Sequence, residues 1–139
     1  MVQDVAKEAV EAGRAQITVA HSDGVAGMLI SLVPANDRAC AVSLVADRPP
    51  QMDMFLGPEP TTASYEFWRD DRPANLTRLR ELLTAVVAGR YEQMIETGKR
   101  TIKVTGRFEL ADGEVTHTEV GRPSSAKPGE RYTLRFEPY

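Results

Sequence analysis

Leu79-Arg80-Glu81-Leu82-Leu83-Thr84-Ala85-Val86-Val87-Ala88-Gly89-Arg90-Tyr91-Glu92-Gln93-Met94-Ile95 is the stretch on which the fold turns. With Leu76 before it, the apolar residues Leu79, Leu82, Leu83, Val86, Val87, Tyr91, Met94 and Ile95 recur at helical spacing. Arg78, Arg80, Glu81, Arg90, Glu92 and Gln93 fall mainly off that stripe. The pattern predicts one long helix over residues 74–97, opened by Asp70-Asp71-Arg72-Pro73 or capped by Asn75, and closed by Gly98. Gly89 then lies inside the helix at a cost of ~1 kcal/mol relative to Ala, which close approach of a neighbouring element would explain.

Upstream, the chain punctuates differently. Val2, Val5, Ala6, Ala9 and Val10 form a short amphipathic helix that Gly13 ends. Ile17 and Val19 alternate with Gln16 and Thr18. Val25 to Val33 and Ala39 to Ala46 are apolar enough for strands covered on both faces. Met52 to Leu56 and Thr61 to Arg69 are shorter strands, the latter with Tyr65 and Phe67 on one face. Turns separate these runs every eight to twelve residues, which predicts an antiparallel meander. Downstream, Asp112-Gly113 marks a hairpin that sets Leu110 opposite Val115, Phe108 opposite His117 and Arg107 opposite Thr118. Tyr132, Leu134 and Phe136 make a last strand. The expected fold is a single α+β domain over residues 1–139. A mainly antiparallel sheet of six to eight strands packs against one long helix, with a short N-terminal helix beside it.

A chain of 139 residues can bury a real core without staples. Cys40 is the single cysteine, so no internal disulfide and no cysteine-based zinc site is expected. His21 and His117 are too far apart for a local metal cluster. No cofactor is expected. No apolar run approaches the ~20 residues of a membrane span, and Met1-Val2-Gln3-Asp4 has no secretory character. A cytoplasmic protein is the resulting expectation. The net charge of -3 argues against nucleic-acid binding, because Lys99, Arg100, Lys103 and Arg107 are too small a cluster to offset it. The charge is uneven, with 5 basic and 11 acidic residues in 1–71 but 12 and 9 in 72–139.

Chemistry-bearing motifs are scarce. Gly24-Val25-Ala26-Gly27 lacks the third glycine and the following helix of a phosphate loop. Cys40 with a histidine base would make a nucleophile, but a small residue packed in an Ala-Cys-Ala-Val strand is favoured. His21-Ser22-Asp23 suits a capped turn better than a triad, since a triad is a spatial constellation rather than a run of neighbours. His117 is expected to be a half-buried strand residue, and Asp53 to point outward from an apolar strand. No catalytic and no metal-binding residue is therefore assigned. The segment Tyr65, Glu66, Trp68, Asp70 and Asp71 joins aromatics to carboxylates, as protein interfaces do, and is the candidate partner-binding site.

Three runs carry a family resemblance: Met52-Asp53-Met54-Phe55-Leu56-Gly57, Tyr65-Glu66-Phe67-Trp68 and Leu79 to Glu92. Over residues 52–92 they resemble small, uncharacterised α+β proteins of actinobacteria, some of which look like immunity proteins to polymorphic toxins. The resemblance includes no catalytic motif and transfers no functional residue. It implies a non-enzymatic domain that binds a protein partner, such as a toxin encoded nearby. Two alternatives stand beside it. One is a small-molecule-binding or enzymatic domain with a cavity between sheet and helix. The other is a homodimeric module using an edge strand. Neither nucleic acid nor membrane is an expected partner, and the chain is expected to be a monomer or homodimer.

Overall fold

The computed structural model describes residues 2–21, 27–47, 51–58, 61–67, 72–121 and 128–139. Its elements run α1 (Val2–Glu11), β1 (Ala15–His21), β2 (Gly27–Pro34), β3 (Val42–Asp47), β4 (Gln51–Leu56), β5 (Ala63–Phe67), α2 (Arg72–Val87), β6 (Tyr91–Thr97), β7 (Ile102–Leu110), β8 (Gly113–Gly121) and β9 (Arg131–Arg135). The α+β class is as expected, but there are two antiparallel sheets rather than one. The first is a five-stranded meander in the order β1-β2-β3-β4-β5, and the second has the order β8-β7-β6-β9.

The expected long helix is in fact a helix and a strand. α2 stops at Val87, and Tyr91–Thr97 is β6. Gly89, at φ +72°, is the stop. Its N–H donates to the Val86 carbonyl at 3.0 Å and the Arg90 N–H donates to the Ala85 carbonyl at 2.7 Å. These two bonds tie off the last turn in the Schellman manner. Gly13 ends α1 with the same pair of bonds, Gly13 N–H to Val10 and Arg14 N–H to Ala9. Beyond Gly89 the buried residues are Tyr91, Gln93, Ile95 and Thr97, a period of two.

The register of the Asp112 hairpin also differs from expectation by two residues. Phe108 faces Val115, Arg107 faces Thr116 and His117 faces Gly106. A slip of two leaves each side chain on its own face, so His117 stays on the apolar side. Gly106 makes room for it, because a Cβ there would lie 1.9 Å from the imidazole Nε2.

The main core lies between the first sheet and the helices. Leu32, Leu44, Met54 and Leu56 meet Leu79, Leu82, Leu83 and Val86, all essentially inaccessible to solvent. Ala6 and Ala9 bury the small side of α1, which packs on α2 and β1. Burying a leucine-sized side chain is worth roughly 1.5–3 kcal/mol, so these eight residues carry much of the fold. A second cluster, Ala63, Ile95, Ile102 and Val104, lies where the two sheets meet.

The segment 136–139 ties distant parts together. The Glu137 N–H donates to the Arg38 carbonyl, and the Tyr139 N–H donates to the Val87 carbonyl. Arg14 donates to the Tyr139 carbonyl, and the Tyr139 hydroxyl donates to the Cys40 carbonyl. Pro138 rests against Gly89, where a Cβ would come within 2.7 Å of its nitrogen.

Candidate functional site

Two features outside the main core stand out: a polar joint between the sheets and an open apolar face. The joint begins at Ser64 on β5, an edge strand of the first sheet. Its main-chain N–H and its hydroxyl both donate to Oε2 of Glu119, at 2.7 and 2.6 Å. Its carbonyl accepts from Nδ1 of His117 at 2.9 Å. That carbonyl fixes the proton on Nδ1, so Nε2 accepts from the Tyr91 hydroxyl at 3.0 Å. The Tyr91 oxygen accepts in turn from Nε2 of Gln93, which also donates to the Leu56 carbonyl, both at 3.1 Å. Buried Gln93 keeps its Oε1 without a hydrogen-bond partner among the described residues.

Burial holds the His117 pKa below its ordinary value, opposed by the bond to Ser64 and the nearby Glu119 charge. The same burial pushes the Tyr91 hydroxyl well above the tyrosine range. At neutral pH the joint is therefore a chain of neutral donors and acceptors, anchored at one end by the Glu119 carboxylate. Tyr65, Tyr91 and Phe108 surround the histidine, with Tyr91 stacked at 5.9 Å and Tyr65 edge-on at 6.1 Å, and Phe67 and Phe136 pack in turn on Tyr65 and Tyr91. Both imidazole nitrogens are engaged, so the arrangement fastens two sheets and offers no free base to a reactant. A polar network of this kind is costly unless its members are satisfied, which is what makes it specific.

The second feature is the side of the first sheet that faces away from the helices. Strand parity puts Leu29, Ser31 and Val33 of β2, Ser43 and Val45 of β3, Asp53 and Phe55 of β4, and Ser64 and Glu66 of β5 on this side. Leu29 is 38 % and Val33 45 % exposed. The sequence pattern predicts strands covered on both faces; among the described residues the helices cover one face of β2 and β3, and the other is half-buried to exposed. Leu29, Val45 and Phe55, with Gly57 and Thr62, line a shallow depression of about 370 Å³. Asp53 lies directly opposite Glu66, and one Asp53 carboxylate oxygen is buried without a partner among the described residues.

Of the residues proposed for partner binding, Tyr65 lies on the helix-facing side, half-buried against Phe67 and Phe108. Glu66 is exposed on the open face. Trp68, Asp70 and Asp71 lie outside the described residues, as do Ser22 and Asp23. His21 is exposed at the end of β1. Cys40 is buried, and desolvation pushes its thiol pKa up to about 12, so it packs as a small apolar group. Ser64, Tyr91, Gln93 and Glu119 were not singled out in the sequence. Gln93 carries the signal that could have found them, being the polar residue at a buried position of an alternating strand. Among the described residues no cluster of three or more metal-ligating side chains occurs, and no helix is long and apolar enough to cross a membrane. No family model, curated protein or solved structure matches the chain.

Proposed function

We propose that this chain is a non-enzymatic protein-binding domain whose contact surface is the open face of the first sheet. One observation carries the reading: Leu29 stands exposed opposite Val45, with Phe55 on the next strand and Val33 exposed farther along β2, on the side of the first sheet away from the helices. Exposed apolar side chains around a central Ser31–Ser43 pair, with Thr62 at one side, make the mixed surface that a protein partner covers. The Asp53–Glu66 pair gives that partner its sign. Two carboxylates directly opposite on adjacent strands repel, and exposed Glu66 is the acceptor that an incoming lysine or arginine can reach. The acidic excess of residues 1–71 adds steering toward the same partner. The occupant is thus a protein with an apolar centre and a basic rim. A toxin neutralised by this chain as its immunity protein is the specific form that the resemblance over residues 52–92 supports. The small-molecule alternative is less well supported, because the space between the first sheet and α2 is filled by Leu32, Leu44, Met54, Leu82 and Leu83.

The test is binding of purified proteins encoded by neighbouring genes to wild-type protein and to Leu29→Glu, Val33→Glu and Glu66→Lys variants. Each apolar substitution is expected to weaken affinity about tenfold or more, as loss of an interface anchor does, with unchanged melting temperature. Glu66→Lys should slow association most at low salt, where the Debye length exceeds its physiological ~8 Å. Trp68→Ala, measured for binding and unfolding together, separates an anchor from a core residue. Unchanged affinity for a confirmed partner across all three charge variants overturns the surface assignment. A small ligand that raises the melting temperature, with no protein partner found, favours the alternative.

A further inference from the structure

Four strand edges bound the two sheets, and three of them carry recognisable protection. β5 has its outward groups at Ser64 occupied by Glu119 and His117. β8 carries Glu114 and Glu119, and β9 is short and flanked by Arg131 and Arg135. Charges and side-chain caps of this sort keep edges from pairing with other chains. β1 has neither. Its seven residues, Ala15-Gln16-Ile17-Thr18-Val19-Ala20-His21, include no Lys, Arg, Asp, Glu, Pro or Gly.

The hydrogen-bond phase of β1 is fixed by the bond from the Ala35 N–H to the Arg14 carbonyl. Arg14 therefore faces β2, and with it, by alternation, Gln16, Thr18 and Ala20. The main-chain groups of Ala15, Ile17, Val19 and His21 point away from the sheet. Val19 is 53 % exposed although it lies on the helix-facing side, opposite half-buried Ile30.

We propose that β1 is a dimerisation edge, on which a second copy of the chain pairs antiparallel about a two-fold axis through Thr18. The strand is complementary to its own inversion. In this register Ile17 lies opposite the partner's Val19, Ala15 opposite the partner's His21, and Thr18 opposite the partner's Thr18. All the outward-pointing residues then meet one another as hydrogen-bonded pairs, each exchanging two main-chain bonds. β-Branched residues face β-branched residues, which favours the pairing. The absence of formal charge along β1 means that self-pairing brings no like charges together. The row Leu32–Ile17 continues into the partner's Val19 and Ile30, so exposed Val19 gains an apolar neighbour. The result is a ten-stranded sheet with two copies of the open face side by side.

Sedimentation of the full chain over a concentration series tests this, and the expected species has twice the chain's mass. Val19→Pro is the discriminating variant. It removes an N–H that points outward and is not used by β2, so the β1–β2 ladder survives while the dimer edge is lost. Val19→Lys introduces the charge that the other edges have. Both are expected to shift the dimer equilibrium about tenfold or more toward monomer without loss of the folded circular-dichroism spectrum. Should Val19→Pro fail to fold, Val19→Lys alone decides. Thr18→Cys gives a positive readout, because the axis sets the two cysteines opposite each other at ~4.5 Å between Cα atoms, within disulfide reach. It should cross-link on mild oxidation, and Gln16→Cys should not. A wild-type chain that remains monomeric at the highest concentration reached overturns the proposal. So does a dimer that persists in Val19→Lys, or equal cross-linking of Thr18→Cys and Gln16→Cys.

Discussion

At Gly89 two constraints coincide, a left-handed backbone at φ +72° and a Cβ position 2.7 Å from the Pro138 nitrogen. Gly13 ends the other helix at nearly the same angle but with nothing within 4 Å. Comparing Gly89→Ala with Gly13→Ala separates the two constraints. Gly13→Ala should lose about 1–2 kcal/mol, the cost of a left-handed alanine. Gly89→Ala should lose more, because the 136–139 segment must also move. Chemical denaturation of both variants measures this. His117 makes a second prediction. Its folded-state pKa lies below the 6.5 of the free side chain, chiefly through burial. The unfolded chain therefore binds more protons as pH falls through that value, and stability is lost on acidification. It is fully present above pH 6.5 and levels off once the folded-state histidine titrates. The stability profile of His117→Phe should lack this slope between pH 7 and 5. An unchanged slope would assign the effect elsewhere.

Among the elements, α2 and the strands up to β5 were largely legible, whereas β6 was not. Leu79, Leu82, Leu83 and Val86 mark a helix, and all four are buried. Tyr91, Met94 and Ile95 happen to continue the same helical phase, and this hid the change of period. The true period of two runs through Gln93, a polar residue buried for its bonds to Leu56 and Tyr91, which hydrophobicity alone does not reveal. The candidate joint was illegible for a related reason: its members come from β5, β6 and β8, and only the register that seats His117 over Gly106 brings them together. Leu83→Asp should abolish cooperative unfolding, because an unpaired buried charge costs several kcal/mol. In the 136–139 segment, Tyr139→Phe keeps the ring and removes the donor to the Cys40 carbonyl. A buried acceptor left unsatisfied costs about 1–3 kcal/mol. A melting temperature equal to wild type would mean that this bond contributes nothing.

Over the whole molecule, charge is segregated by surface rather than by sequence half alone. The outer side of the second sheet is a ladder of opposite charges, with Arg107 between Glu92 and Glu114, and Glu96 between Lys103 and Arg131. These pairs are exposed and individually worth ~0–1 kcal/mol, so they keep that face solvated more than they stabilise it. Among the described residues the first sheet has no such ladder on its open side. There Asp53 and Glu66 stand among Leu29, Val45 and Phe55. Raising salt should therefore leave the folded domain's stability nearly unchanged while slowing capture of a basic partner. A large salt effect on the melting temperature would contradict the first half of that expectation.

The two sheets meet through the Ser64 main chain and hydroxyl held by His117 and Glu119, the Gln93 amide on the Leu56 carbonyl and the apolar cluster at Ala63, with no main-chain ladder between β5 and β8 among the described residues. In the time domain this joint is expected to be where local opening begins. Amide deuterium exchange should find the Ser64 proton slow, although it points out of an edge strand, because Glu119 holds it. In Glu119→Ala it should exchange at the rate of an open edge, while the protons of β2 and β3 keep their protection. The four-stranded sheet would then behave as a separate opening unit, parting from the meander before either unfolds.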